Sequence, residues 1–352
     1  MSAKTIGIIG GGQLGRMLAM AAARLNFRTV IIEPQMDCPA AQVANEQIAA
    51  AYDDPAALAE LARRCDVVTY EFENVPVSAA EELASRVTVY PPPKALEMAQ
   101  DRLTEKRFIN GCGIPTARFH AVDSQADLEK ALADFGGQGV LKTRRLGYDG
   151  KGQRVYRSAA DCPEGGYAAL GNVPLILESF VSFEREISII AARGVDGTVA
   201  CYDPAENIHR SGILHTSTLP AKISAQTAIA AREAAEKILT ALGYVGVIGI
   251  EFFALADGSL IANEMAPRVH NSGHWTEAAC VISQFEQHIR AVAGLPLGNP
   301  TRHSDCVMTN LIGDDIEALP EWLRLDDTLV HLYGKTEARP GRKMGHVTQL
   351  LR

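Results

Sequence analysis

Glu251 and Glu264 flank a stretch in which two carboxylates are set to face each other across a tight turn. Asp257-Gly258 lies between runs rich in apolar and aromatic residues, which predicts a hairpin closed by those two residues. In that register Glu251 stands opposite Glu264, and Phe253, Leu255, Leu260 and Ala262 share their face. Two like charges about 5 Å apart beside an apolar stripe repel unless a cation lies between them. Magnesium, which takes one or two carboxylates together with phosphate oxygens, fits that description. An exposed hairpin whose acids reach water or Arg268 is the competing account.

Other groups able to do chemistry lie elsewhere along the chain. Arg268, His270 and Asn271 follow Glu264 on an irregular stretch, so a cation, an imidazole and an amide can gather beside the acids. Residues 146–153, with three glycines, Tyr148 and Lys151 between strand-like runs, read as a flap able to lay backbone amides over phosphates. Lys142, at the end of the preceding strand, is a point charge for the same oxygens; a plain hairpin with a surface lysine is the alternative. Glu178 sits in a buried-type strand, and Glu186 opens the next one, where an acid meets ribose hydroxyls or simply marks a strand edge. Tyr333-Gly334-Lys335 and the stretch 339–346, which includes Arg342 and Lys343, concentrate positive charge. Either they meet an anionic substrate group or they are solvated basic loops.

Gly10-Gly11-Gly12-Gln13-Leu14-Gly15 follows the first strand-like run and opens a helical pattern, as a dinucleotide fingerprint does. Glu33 closes the second run, where a ribose-binding acid would stand, so an NAD(P)-dependent oxidoreductase is a rival reading. Glycines at a strand-to-helix turn nevertheless offer amides to any anion. Glu71-Phe72-Glu73-Asn74-Val75-Pro76 ends the third run, at the carboxyl edge where open sheets place ligands.

The elements that must position these groups are legible. Residues 5–90 alternate short apolar runs with helical patterns at 13–25 and after Asp54-Pro55, which specifies an α/β doubly wound parallel sheet. Ser78 and Glu81 predict a capping box with Ser78 at the cap. Three prolines, 91–93, stiffen the exit, and a helical stretch 94–111 carries Arg102 and Lys106. A smaller αβ unit follows, with a helix at 126–134 and strands at 139–142, 154–156 and 175–180. Ser224 caps a long alanine-rich helix that stops at Gly243, and the last fifty or so residues are strand-rich.

Composition excludes several classes. With 352 residues, 47% hydrophobic and 22% charged, the chain is long enough for two or three packed domains. A net charge of −8 argues against unspecific nucleic-acid binding. Seven scattered cysteines indicate neither a disulfide framework nor a zinc site. No run approaches the roughly 20 apolar residues that span a bilayer. No signal-type segment precedes the first strand, so a cytoplasmic protein is expected.

Taken together, GGGQLGRM, EFENVP, LKTRRLGYDGKGQ, ESFVSFEREIS, NEMAPRVHNSGH, and YGK with RPGRKMGH resemble the carboxyaminoimidazole ribonucleotide synthase family of ATP-grasp ligases, in the same order over essentially the whole chain. The resemblance implies an α/β ATP-grasp architecture with an α+β lid. It divides the chain into a doubly wound N-terminal domain (1–98), a linker helix and small mobile lid (99–180), and a larger mixed-sheet domain (181–352) with a terminal module from about 300. It implies ATP-dependent carboxylation of 5-aminoimidazole ribonucleotide by bicarbonate, through carboxyphosphate, in a cytoplasmic homodimer. Arg102, Lys142, Gly147, Tyr148, Asp149, Gly150, Lys151, Gly152, Gln153, Glu178, Ser179, Phe180, Val181, Glu186, His209, Asn263 and Glu264 would hold ATP. Glu251 and Glu264 would hold one or two magnesium ions. Glu73, Tyr148, Arg268, His270 and Asn271 would handle bicarbonate and the amine. Gly12, Gln13, Leu14, Lys335, Arg342 and Lys343 would hold the ribose phosphate. In one departure from the wider superfamily, Ala266 stands where Asn often follows the second metal glutamate, and Asn263 precedes Glu264 instead. A sibling ATP-grasp ligase with another carboxylate substrate, or a nucleotide-binding regulator without turnover, would keep most of these residues.

Overall fold

Short β-branched runs separated by helices build the first layer, in a computed structural model that describes residues 4–147, 152–158 and 165–351. Strands β1 (Thr5–Ile9), β2 (Arg28–Ile32), β3 (Glu46–Ile48), β4 (Val67–Tyr70) and β5 (Thr88–Val89) form a parallel sheet in the order β3-β2-β1-β4-β5. Helices α1 (Gln13–Arg24), α2 (Pro55–Arg64) and α3 (Val77–Ala84) cover it. Ile6 and Ile8 pack on Met17 and Leu18, whereas Ile9 packs on the opposite side with Leu58 and Leu61. Burial on both faces explains why these strands read as continuous apolar runs. Asp54 caps α2 through the amides of Ala56 and Ala57, with Pro55 in the first turn. The expected cap at Ser78 does not form: α3 starts two residues earlier, at Val77 behind Pro76, whose ring already fixes the backbone for helix entry.

The helical stretch 94–111 is broken in two. Between α4 (Pro93–Ala99) and α5 (Arg102–Gly111), Asp101 turns its carboxylate onto the amides of Leu103 and Thr104 and pairs with Arg144. The break makes Arg102 the first residue of α5 and puts Lys106 one turn along the same face. Strands β6 (Phe119–Val122), β7 (Gly139–Thr143), β8 (Gln153–Tyr156) and β9 (Leu175–Glu178) form a small antiparallel sheet, order β6-β9-β7-β8, backed by α6 (Gln125–Asp134).

The third sheet has nine strands: β10 (Arg185–Arg193), β11 (Val199–Cys201), β12 (Ala205–Arg210), β13 (Ile213–Leu219), β14 (Gly246–Ala254), β15 (Leu260–Ala266), β16 (Asp305–Ile312), β17 (Thr328–Leu332) and β18 (Lys343–Leu351). Among the described residues its strand pairings are all antiparallel, which corrects the mixed sheet expected for this domain; the one parallel contact is an isolated bridge to Ala262 from Thr116, which lies outside the named strands. The C-terminal strands continue this sheet through the β13–β16 pairing. Helix α7 (Ala225–Leu242) starts at the Ser224 cap, ends at Gly243 with φ +57°, and packs on the face opposite the acids. Helices α8 (Thr276–Ala279) and α9 (Gln284–Val292) follow the acid hairpin.

That hairpin corrects the two-residue turn. Leu255 and Ser259 close a loop in which Gly258 takes φ +81°, so Phe252, Phe253 and Ala254 pair with Ala262, Ile261 and Leu260. A bulge at Asn263 absorbs the offset and restores the pairing of Glu251 with Glu264. Phe253 shares the acid face, now with Ile261 and Asn263, while Leu260 and Ala262 turn into the core with Phe252. Phe252 is 1% exposed and is a core anchor under the acid pair. Phe252→Ala is expected to cost roughly 3–5 kcal/mol, read as a lower urea midpoint.

Candidate active site

The bulge places Glu251, Asn263 and Glu264 on one side of the hairpin, with the Asn263 side chain hydrogen-bonded to Glu251. Arg102 Nη1 donates to Glu264 Oε2 at 2.9 Å, and its Nη2 donates to the carbonyl of Gly147 at 3.1 Å. Burial and the charge of Glu264 push the Glu251 carboxyl up, while Arg102 holds Glu264 down against the effect of burial. Facing carboxylates, one of them raised, are a donor set short of positive charge. Their oxygen chemistry fits a hard divalent cation.

Behind them lies a second set of charges. Glu178 Oε2 accepts from Lys142 Nζ at 3.0 Å and lies 3.3 Å from Lys106 Nζ, which also donates to the carbonyl of Asn263. Glu178 and Lys106 are almost wholly enclosed, at 4% and 1% side-chain exposure. Burial lowers the Lys142 amine, while Glu178 is held down by both lysines against its own burial. Gly152, at φ +71°, faces Thr143, and Gln153 pairs with Lys142. On β10 and β12, Glu186 Oε2 is 2.8 Å from His209 Nδ1; against burial, this contact and the negative charges of Glu251 and Glu264 raise the imidazole above its usual range. Ser179, Phe180 and Val181 run between the small and large sheets; Ser179 N donates to the carbonyl of Arg118, and Phe180 is exposed. Tyr148, Asp149, Gly150 and Lys151 lie outside the described residues.

Arg268 forms the third group. Its Nε pairs with Glu73, which it keeps ionised despite burial, and its charge is felt by Glu71 and Glu264. His270 is pushed down to about 3 by burial and by Arg268, so it is a neutral imidazole, with Nε2 3.7 Å from Glu251 Oε1. Neither amide atom of Asn271 has a hydrogen-bond partner, although both are buried, so they are free to meet a ligand. Gln100 donates to the carbonyls of Glu73 and Val75 and holds this loop in place.

The glycine turn has a different use from a dinucleotide fingerprint. The Gly12 and Gly15 amides donate to the buried Glu71 carboxylate, and the Gly11 amide and the Tyr52 hydroxyl donate to Glu33. A pyrophosphate there would displace two carboxylates and meet their charge, so the NAD(P) reading fails. Lys335 donates to the carbonyl of Lys343 at 2.7 Å and feels the charges of Arg342, Lys343 and Glu71, which brings the basic C-terminal stretch to the start of α1. Of the three residues proposed on that turn, Gly12 is already engaged, and Gln13 and Leu14 are the first two residues of α1.

The ATP-grasp domain family matches residues 107–285, the ribonucleotide synthetase preATP-grasp domain 3–100, and the phosphoribosylaminoimidazole carboxylase C-terminal domain 306–352. The N5-carboxyaminoimidazole ribonucleotide synthase of Brucella melitensis is 67% identical over 347 residues, covering 98% of this chain and 96% of its own. The chain belongs to the N5-carboxyaminoimidazole ribonucleotide synthase family. It is therefore an ATP-dependent carbon–nitrogen ligase of purine biosynthesis, with the ATP-grasp fold. The ADP complex of a synthetase of this family superposes with a TM-score of 0.96 at 44% identity, covering 100% of this chain and 93% of that one. An Aspergillus clavatus synthase in complex with ADP and 5-aminoimidazole ribonucleotide gives 0.93 at 33% identity, covering 99% and 94%. No described helix is long and apolar enough to cross a membrane.

Within this synthase frame, Glu105 escaped the sequence reading, as did the partners of Lys106 and Glu71. Lys106 and Glu105 lie on the face of α5 that meets β15; Glu105 accepts from the Met265 amide at 2.7 Å, and burial and Glu264 push its carboxyl up to about 8. The four-residue spacing of Arg102 and Lys106 was the available signal. Glu71 was placed at the carboxyl edge of the sheet, but nothing in the sequence marked it as the acceptor of the glycine turn.

Proposed function

We propose that this cleft joins bicarbonate to the exocyclic amine of 5-aminoimidazole ribonucleotide at the expense of ATP, giving N5-carboxyaminoimidazole ribonucleotide, ADP and phosphate. The observation that carries the proposal is the acid pair Glu251–Glu264 set between Arg102, Lys142 and the Arg268–His270–Asn271 cluster. One or two magnesium ions, held by Glu251 and Glu264, would neutralise phosphate oxygens. Lys142 and Arg102 stabilise charge on the same phosphates, and Glu186 with His209 takes the ribose.

Bicarbonate is a poor electrophile, and phosphorylation turns one of its oxygens into a leaving group as carboxyphosphate. Arg268 and the free amide of Asn271 orient the bicarbonate. Neutral His270 adds no second positive charge. Glu73 enters the reaction ionised, so it can accept the amine proton and cannot donate one. The lid, within 99–180, closes over the short-lived intermediate and excludes water. The reading includes a cytoplasmic homodimer, which sedimentation of the full chain tests directly. ADP release should require bicarbonate and the ribonucleotide together, and turnover that ignores the ribonucleotide would reject the proposal.

Lys335 gives this reading a pH signature. Burial and neighbouring Arg342 bring its amine down to about 8. Its charge, and its hold on the substrate phosphate, are complete below that pH and are lost as pH rises through it. KM for the ribonucleotide should therefore climb above pH 8 while KM for ATP does not, and Lys335→Met should flatten that rise.

A further inference from the structure

We propose that Glu277, His331 and His346 form a binding site for a divalent transition-metal cation of the zinc class, separate from the acid pair that faces ATP. Among the described residues, these three are the group of His, Cys, Asp and Glu whose donor atoms converge, all within 4.8 Å of one another. The antiparallel register of β17 and β18 sets His331 directly opposite His346, with the rings stacked at 5.3 Å and 13°. Glu277 reaches them from α8, its Oε2 lying 3.2 Å from His331 Nδ1 and 3.6 Å from His346 Nε2. Tetrahedral zinc, with donors at about 2.0–2.1 Å, needs donor-to-donor spacings of roughly 3.4 Å. The two measured spacings bracket that value.

The second observation is an unpartnered atom. His346 is 1% exposed, and its Nε2 has no hydrogen-bond partner although it points at Glu277. Its other nitrogen, Nδ1, lies 2.8 Å from the hydroxyl of the buried Tyr333. If Nδ1 carries the proton and donates it to Tyr333, the Nε2 lone pair faces a carboxylate oxygen, an arrangement that calls for a cation between them. An imidazole anchored by its far nitrogen is also the usual support of a metal ligand. Two imidazoles and a carboxylate suit zinc or cobalt better than magnesium, which prefers oxygen alone. Glu277 and His331 keep 20% and 11% of their side-chain surface open, which leaves room for water as the fourth ligand. The bound cation would clip the β17–β18 edge to α8.

The experiment is zinc titration of the full chain by calorimetry, without nucleotide, with cobalt substitution followed by visible absorption. A Glu251→Gln/Glu264→Gln background removes the other acid site from the count. The expected result is one zinc per chain in that background, with a tetrahedral cobalt spectrum. Glu277→Gln and His331→Asn should each weaken affinity by at least about tenfold, the low end of the effect of disturbing a metal ligand's support. Zinc should raise the Tm of the parent but not of Glu277→Gln, a nearly isosteric change whose own Tm shows that it folds. Absence of zinc binding, or equal affinity in the parent and Glu277→Gln, would overturn the proposal and leave the trio as a hydrogen-bonded ion pair.

Discussion

Glu264→Gln is expected to lower ADP release by roughly a hundred- to a thousand-fold, the scale of removing one preorganised electrostatic group from a transition state. The change keeps the shape of the side chain and removes only charge, so the loss should fall on kcat. The reason lies in the bulge: Glu264 is at once partner to Glu251 across the hairpin and acceptor of Arg102. Neutralising it unbalances both. Rapid-quench measurement of ADP, with circular dichroism to show an unchanged fold, checks the prediction. Activity within a few-fold of the parent would remove the acid pair from the mechanism.

Glu178→Gln should act mainly on stability. Lys106 and Lys142 converge on this one carboxylate, and Lys106 is 1% exposed. Without the negative charge the buried Lys106 ammonium and the partly buried Lys142 ammonium lose their shared carboxylate, and breaking a buried pair costs about 3–5 kcal/mol. Urea unfolding should show a clearly lower midpoint, and ATP affinity should fall as well because Lys142 loses its anchor. Glu60→Gln, on the solvent-exposed ion pairs with Arg63 and Arg64, should leave the midpoint nearly unchanged. Equal effects of the two substitutions would contradict this account of the lysine pair.

The hairpin shows how far sequence could be read. The pairing of Glu251 with Glu264 was reached through two offsetting differences: the loop shifts the register by one residue, and the bulge at Asn263 shifts it back. Period two records neither event, so Leu260 and Ala262 were expected beside the acids and instead lie in the core. Asp54 and Ser224 were legible as caps because a cap is local. Ser78 looked equally local, but the constraint of Pro76 came first. The glycine turn was legible as a set of exposed amides and illegible as to acceptor, since Glu33 and Glu71 come from other strands. Glu105, and the partners of Lys106, were hidden for a related reason: only the break at Asp101 aims their helix at β15. Six motifs in one order pointed to the family, and the geometry supplied the partners of Arg102, Lys142, Glu178 and Arg268.

Oxygen transfer tests the central claim most directly. With bicarbonate labelled in oxygen-18 and added just before quenching, the account predicts labelled phosphate. A bicarbonate oxygen attacks the γ-phosphorus, and the amine later displaces that oxygen together with the phosphoryl group. One labelled oxygen per phosphate, appearing in step with the carboxylated ribonucleotide, is the expected result. Phosphate carrying solvent oxygen and none from bicarbonate would contradict it.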